Sequence, residues 1–167
     1  MSKIEDLRWI RVMSPELIPT YLIEQVRDRD YSVEEFFKYH KVNCMQRTEK
    51  GFVLNPFSHL YVLADEENQV KGVLWFCVDP LSKDLIIQTF SMDKEYWYKG
   101  KAVRELTKHI KYIKHKANLN KIYWITNYEK HSMRYGFRQS KSILMEYDEK
   151  TDEKPKEKHK KELVKKE

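Results

Sequence analysis

Residues 84–117 read DLIIQTFSMDKEYWYKGKAVRELTKHIKYIKHKA, and the way this stretch divides decides the fold. Its first part, Leu85-Ile86-Ile87-Gln88-Thr89-Phe90, is an apolar run of strand length and predicts a largely buried β-strand. A short polar and aromatic loop follows, and from Gly100 to about Ala117 the pattern becomes that of a long amphipathic helix. A strand that feeds a helix through a loop with a small-residue pair can hold phosphate. The loop amides and the first unpaired N–H groups of the helix converge, and the helix dipole favours an anion there.

Within the helix, Val103, Leu106, Ile110, Ile113 and Ala117 recur on one face and predict core packing. Arg104, Lys108, Lys111 and His115 form a second, basic stripe. Between Lys99 and Lys116 seven Lys and Arg stand against a single acid, Glu105, so this face is strongly cationic. Lys111, Lys114 and Lys116 read as a solvated face whose late cations complement the dipole. Lys99 and Lys101 lie in the loop itself and read as phosphate-facing.

Upstream, Leu7 to Val12 predicts a first strand. Ser14-Pro15-Glu16 has helix-start chemistry, but Pro19 interrupts it. The expectation is a turn over 14–18, with a helix from Pro19 to about Arg27. Ser32 and Glu35, three apart, form a capping box for a second helix bearing Val33, Phe36, Phe37, His40 and Cys44 on one face. His40 is expected there as a satisfied, partly buried side chain, since no second ligand stands at metal spacing. Gln46 to Ser58 reads as a long polar loop of functional interest. His59–Ala64, Val70–Val78 and Leu85–Met92 then predict a three-strand antiparallel meander. After the long helix come a strand from Lys121 to Thr126, a short helix through about Tyr135, Gly136, and a last strand from Ser142 to Tyr147.

The chain has 167 residues, which suits one domain with one core. Cys44 and Cys77 show no metal or disulfide spacing and read as reduced, partly buried thiols, which suits the cytoplasm. The start MSKIEDLRW is too acidic for a signal peptide, and no apolar run approaches the roughly 20 residues that cross a bilayer. No metal site is expected. Of the formal charge of +6, the last twenty residues hold eight Lys against seven Asp and Glu. The folded body therefore carries +5, which attracts phosphate-bearing partners, nucleotide cofactors and nucleic acids alike. The final segment, residues 148–167, mixes both charges with almost no apolar residue and is expected to be a disordered tail on a domain of residues 1–147.

The order strand, two helices, meander, helix, strand, helix, strand resembles the GNAT superfamily of N-acetyltransferases. That family's Q/R-x-x-G-x-G/A motif is matched by Trp97-Tyr98-Lys99-Gly100-Lys101-Ala102, and Arg134-Tyr135-Gly136-Phe137 is similar to its terminal K-x-G-F. Met92-Asp93-Lys94-Glu95-Tyr96 stands where relatives often have V-x-P-E-Y. The resemblance covers most of residues 7–147. It implies an α/β (α+β) fold with a mixed sheet, an antiparallel N-terminal meander and flanking helices.

It also implies acetyl-CoA as co-substrate and an amine as acceptor. Phe90, Ser91 and Met92 would then meet the pantetheine arm with backbone groups. Trp97, Tyr98, Lys99, Gly100, Lys101 and Ala102 would form the pyrophosphate cradle. The sequence departs from the family's pattern at three places. Trp97 replaces the first polar residue of the motif. The general-acid tyrosine of many relatives falls on Ser132, with Tyr128 one turn earlier as a substitute or simply a half-buried aromatic. Ile86 and Gln88 stand where some relatives carry a glutamate base, leaving Glu95, His131 or a water chain for that role. The alternative implied by these departures is a degenerate GNAT-like binding or structural protein, of a kind phages also encode, docking on nucleic acid or a larger assembly. No nucleic-acid motif accompanies it.

Overall fold

The computed structural model describes residues 6–26, 30–97, 100–126 and 129–140. Five strands form one sheet in the order β1 (Arg8–Arg11), β4 (Ser58–Ala64), β5 (Val70–Val78), β6 (Leu85–Met92) and β7 (Ile122–Trp124). Every pairing is antiparallel except β6 with β7. A parallel neighbour needs a long crossover, and the 16-residue helix α3 (Lys101–Lys116) supplies it. The sheet is thus mixed, with an antiparallel meander at its centre and helices on both faces, as the sequence implies.

Alternation along the strands divides two cores. On one face Leu60, Val62 and Val73 meet Leu22 and Ile23 of α1 (Thr20–Glu24) and Phe36 of α2 (Val33–Asn43). On the other, Leu74, Phe76, Leu85 and Ile87 meet Leu106, Ile110 and Ile113 of α3. Burial of such side chains stabilises by roughly 1.5–3 kcal/mol each. The expected α3 stripe is therefore the packing face, with one exception: Ala117 is the exposed C-cap residue, where the helix ends.

The start of the chain follows its capping chemistry. Pro15–Leu17 makes a single 3-10 turn and Pro19 caps α1, which is shorter than expected at its far end; Arg27 lies outside the described residues. Ser32 and Glu35 exchange both bonds of the capping box, 2.6 and 3.1 Å.

Two expectations fail. Residues 46–58 are not a loop but largely a hairpin, β2 (Met45–Thr48) with β3 (Gly51–Leu54), its turn made possible by Gly51 at φ +114°. Asn55 ties its base down, donating to Asn43 and accepting from the N–H groups of Phe57 and Ser58. His40 is not a satisfied histidine: it is 0% exposed, and neither ring nitrogen has a hydrogen-bond partner among the described residues. Rings surround it instead, with Phe36 at 4.3 Å and Trp75 at 4.6 Å, the latter perpendicular.

The strand expected over Ser142–Tyr147 and the tail after it lie outside the described residues, as does the division into domain and tail. No described helix is long and apolar enough to cross a membrane.

Candidate active site

The site grows from an irregularity in β6. In its ladder with β5, Trp75 lies opposite Thr89 but Phe76 lies opposite Ile87, so Gln88 is an extra residue, a β-bulge. The bulge reverses which residues face which way. Before it, Leu85 and Ile87 point to α3. After it, Thr89 meets the Tyr31 hydroxyl and Ser91 meets Gln25, both on the α1–α2 side. Phe90 and Met92 take over the α3 side.

The strand also loses its neighbour at this point. β7 pairs only from Leu85–Ile122 to Ile87–Trp124, and the last bond between them is Ile125 N–H to the Ile87 carbonyl, 3.3 Å. Among the described residues, nothing pairs with the β7 edge of β6 beyond Ile87, and that edge is open. Asp93 N–H still donates to the Lys71 carbonyl of the β5 side, 2.8 Å. Ladder alternation therefore turns the backbone of Ser91 and Asp93 inward, and that of Phe90 and Met92 outward to the open edge.

Between this edge and the start of α3 lies a cleft of about 1000 Å³. Phe90, Ser91, Met92, Trp97 and Ala102 all line it. Ser91 presents its hydroxyl, which accepts from Gln25 Nε2 at 3.0 Å. Ala102 is buried with Met92 and Tyr96, so the helix begins close against the strand. Gly100 caps α3 in the left-handed region, φ +66°, an angle that favours glycine, and no atom of the described residues lies within 4 Å of where a Cβ would stand. Lys101 folds back so that Nζ sits 4.3 Å from the centre of the Tyr96 ring. The first turn of α3 holds Lys101 and Arg104 and no acid, the wrong sign for its dipole unless an anion is present.

Tyr98, Lys99 and Tyr128 lie outside the described residues, as does the side chain of His131. Ser132 is buried and is not among the residues that line the cleft, and its carbonyl accepts from Tyr135 and Phe137 as helix α4 (Glu129–Arg134) ends. Glu95 pairs with Lys71 at 3.4 Å and is not part of the lining either.

Several lining residues escape sequence reasoning. Tyr135, just before Gly136, packs edge-on against Phe90 and Trp124 on the cleft wall, and burial pushes its hydroxyl up to about 12. Tyr21 and Gln25, one turn apart on α1, reach across to the end of β6. Tyr21 donates to Asp93 at 2.9 Å, and burial and that bond push its hydroxyl up to about 12. Their i, i+4 spacing placed both on one face, but nothing in the sequence said that β6 would be there.

No family profile matches this sequence, and no curated protein matches it. Solved structures do match. A possible acetyltransferase from Clostridium difficile 630 superposes with a TM-score of 0.63 at 15% identity, over 85% of this chain and 97% of that one. An aminoglycoside antibiotic 6'-N-acetyltransferase from Acinetobacter baumannii gives 0.60 at 10% identity, over 86% and 98%. A chimeric spermidine N-acetyltransferase from Vibrio cholerae and hSSAT gives 0.58 at 14%, over 78% and 77%. Identities this low speak to the fold alone. That fold, in a divergent form, is the GNAT acetyltransferase fold.

Proposed function

We propose that this chain is an acetyl-CoA-dependent N-acetyltransferase acting on an amine. The observation that carries the reading is the open outer edge of β6 on one cleft with the start of α3, which has no side-chain cap and no acid in its first turn. An extended amide-bearing arm can pair with such an edge, and a diphosphate suits the helix start that follows it. The cleft is large enough for a long ligand, and Lys94 and Arg134 add cations to its walls. By this reading Phe90 and Met92 meet the arm with backbone and Ser91 with its hydroxyl. Trp97 to Ala102 form the cradle, in which Tyr98 and Lys99 are included by resemblance.

Bound acetyl-CoA would supply a thioester open to attack by an amine nitrogen. The Phe90 N–H, on the outward side of β6, is the donor best placed by the ladder to polarise a carbonyl at that edge. The amine attacks as its neutral form: the C–S bond breaks as C–N forms, the proton that the nitrogen gives up passes to solvent in the cleft, and the departing sulfur takes one. Tyr135 lines the cleft and its hydroxyl stays protonated throughout the neutral range, and we assign it this role in place of Tyr128 or Ser132. The amine enters from the α1 side, where Glu24 and Asp93 line the cleft and suit a cationic acceptor. Two of the matching structures are named for acceptors that are amines, spermidine and an aminoglycoside. The chain is taken to work in the cytoplasm, with residues 1–147 as the domain and 148–167 as its tail.

Acetyl-CoA should raise the melting temperature. Gly100→Glu should abolish that rise by placing a carboxylate in the anion's place, while Gly100→Asn, which tolerates the left-handed angle, should keep part of it. No shift at millimolar acetyl-CoA would sink the reading. The second reading, a binding protein without catalysis, draws on the exposed stripe Arg104, Lys108 and Lys111 of α3. It requires salt-sensitive binding of a DNA or RNA fragment that CoA leaves unchanged.

A further inference from the structure

Of the outward backbone groups on the open edge of β6, one is already engaged from two sides. The Met92 carbonyl accepts from the indole N–H of Trp97 at 2.9 Å and from Gln25 Nε2 at 3.3 Å. Both donors come from outside the sheet, Gln25 from the end of α1 and Trp97 from the loop before α3. Trp97 is held in place although it is 53% exposed, and its ring lines the cleft beside the carbonyl that it caps. An exposed indole would ordinarily spend its N–H on water. Here it fills the hydrogen-bonding position that a strand pairing with this edge would use.

We infer that Trp97 is a placeholder: its indole N–H occupies the Met92 carbonyl until an amide of the incoming arm displaces it. The inference rests on the acetyl-CoA reading and deepens it. The family's motif has a polar side chain at this position, and by resemblance alone Trp97 would simply fail to supply that side chain's bond to the ligand. The geometry gives it an opposite sign, as a competitor. An arm amide binding at Met92 must first meet a state in which the indole has swung away, so the apparent affinity is lowered by the fraction of molecules in that state. Gln25 is the second donor on the same oxygen, but it also bonds Ser91 Oγ and so holds α1 to the strand whether or not Trp97 is in place. A carbonyl oxygen has two lone pairs, and Trp97 is the donor that can leave without loosening α1.

The test is the binding of CoA, without an acyl group, by titration calorimetry to wild type, Trp97→Phe and Gln25→Leu. Phenylalanine keeps a ring over the cleft and removes only the donor. The expected result is CoA binding roughly three- to tenfold tighter in Trp97→Phe, the value of one net hydrogen bond. Gln25→Leu should bind no tighter than wild type, because α1 is then released from the strand. Equal or weaker binding by Trp97→Phe, with the wild type binding normally, overturns the placeholder and makes Trp97 a structural cap or a ligand contact. If CoA fails to bind the wild type at all, the cofactor reading falls, and the placeholder with it. Loss of fold in Trp97→Phe is checked by melting temperature. In that event Trp97→His, which retains a ring donor, must bind like wild type while Trp97→Leu binds more tightly, or the inference fails.

Discussion

The two halves of β6 are one strand with two different tasks. From Leu85 to Ile87 it is paired on both sides, and Leu85 and Ile87 are fully buried under α3. From Thr89 to Met92 it is paired on one side only among the described residues, and its side chains are split between hydroxyls bonded to the α1–α2 face and Phe90 and Met92 on the cleft. The first half makes the core and the second makes the site. One unpaired residue, Gln88, separates them. A buried strand that turned into a cleft wall without changing phase would send Thr89 and Ser91 toward α3 and Phe90 toward α1. The bulge allows one continuous strand to satisfy both surroundings.

Deleting Gln88 is the most damaging way to break this difference. Without the extra residue, either the site half or the core half must exchange faces, because a one-residue shift flips every side chain along the strand. The expected outcome is a loss of several kcal/mol in urea-unfolding stability together with loss of the acetyl-CoA melting shift. Gln88→Ala keeps the chain length and should stay within about 1 kcal/mol of wild type. A deletion variant as stable as wild type that still binds would show that the bulge does not divide the strand.

Tyr135→Phe asks what the site half faces. Removing only the hydroxyl leaves the edge-on packing with Phe90 and Trp124 in place. If Tyr135 donates the proton, kcat for acetyl transfer falls by about 100-fold, some 2.7 kcal/mol of transition-state stabilisation, with KM changed by less than about threefold. Ser132→Ala should cost little, since that side chain is outside the cleft lining. The reverse pattern, Ser132 sensitive and Tyr135 silent, would return the role to the position named by resemblance.

Legibility follows the same division. The strand spans Val70–Val78 and Leu85–Met92 and the α3 face of Leu106, Ile110 and Ile113 were readable because apolar periodicity reports burial directly. The start of α3 was readable because a lone glycine between a polar loop and an amphipathic run marks a left-handed helix boundary, here φ +66°. The bulge at Gln88 was not, because nothing in a run of apolar and polar residues says which one the neighbouring strand will skip. The hairpin over 45–54 was hidden by exposure on both faces: Phe52 and Val53 point to solvent, so neither period nor burial marks them. The roles of Tyr135, Tyr21 and Gln25 depend on how far apart β6 and β7 stand, and that is a property of the pairing rather than of any one segment.

The support behind the site half gives the last and mildest test. Trp75, opposite Thr89 on β5, rests on His40, which is fully buried with no partner for either ring nitrogen among the described residues. Phe36, Tyr39 and Trp75 surround it, and burial pushes it down to about 4. A histidine depressed in the folded state binds its proton first in the unfolded chain. Its contribution is therefore whole above pH 6.5 and is lost as pH falls from there toward 4. At pH 5 this one group lowers stability by about 2 kcal/mol relative to neutral pH. His59 and His109 are likewise pushed down to about 4 by burial, so the wild type should weaken more steeply than one histidine allows. His40→Leu should narrow the gap between urea midpoints at pH 7.5 and pH 5 without removing it. His40 lies under the α2 face, whereas His59 stacks on Phe76 of the other core and His109 lies on α3 itself, so acid loosens both faces of the wild-type sheet. In His40→Leu, hydrogen exchange at pH 5 should therefore slow relative to wild type at the β5–β6 amides around Thr89 and Ser91, with little change in the first half. Uniform slowing along β6 would mean that the two halves, for all their difference in task, open as one unit.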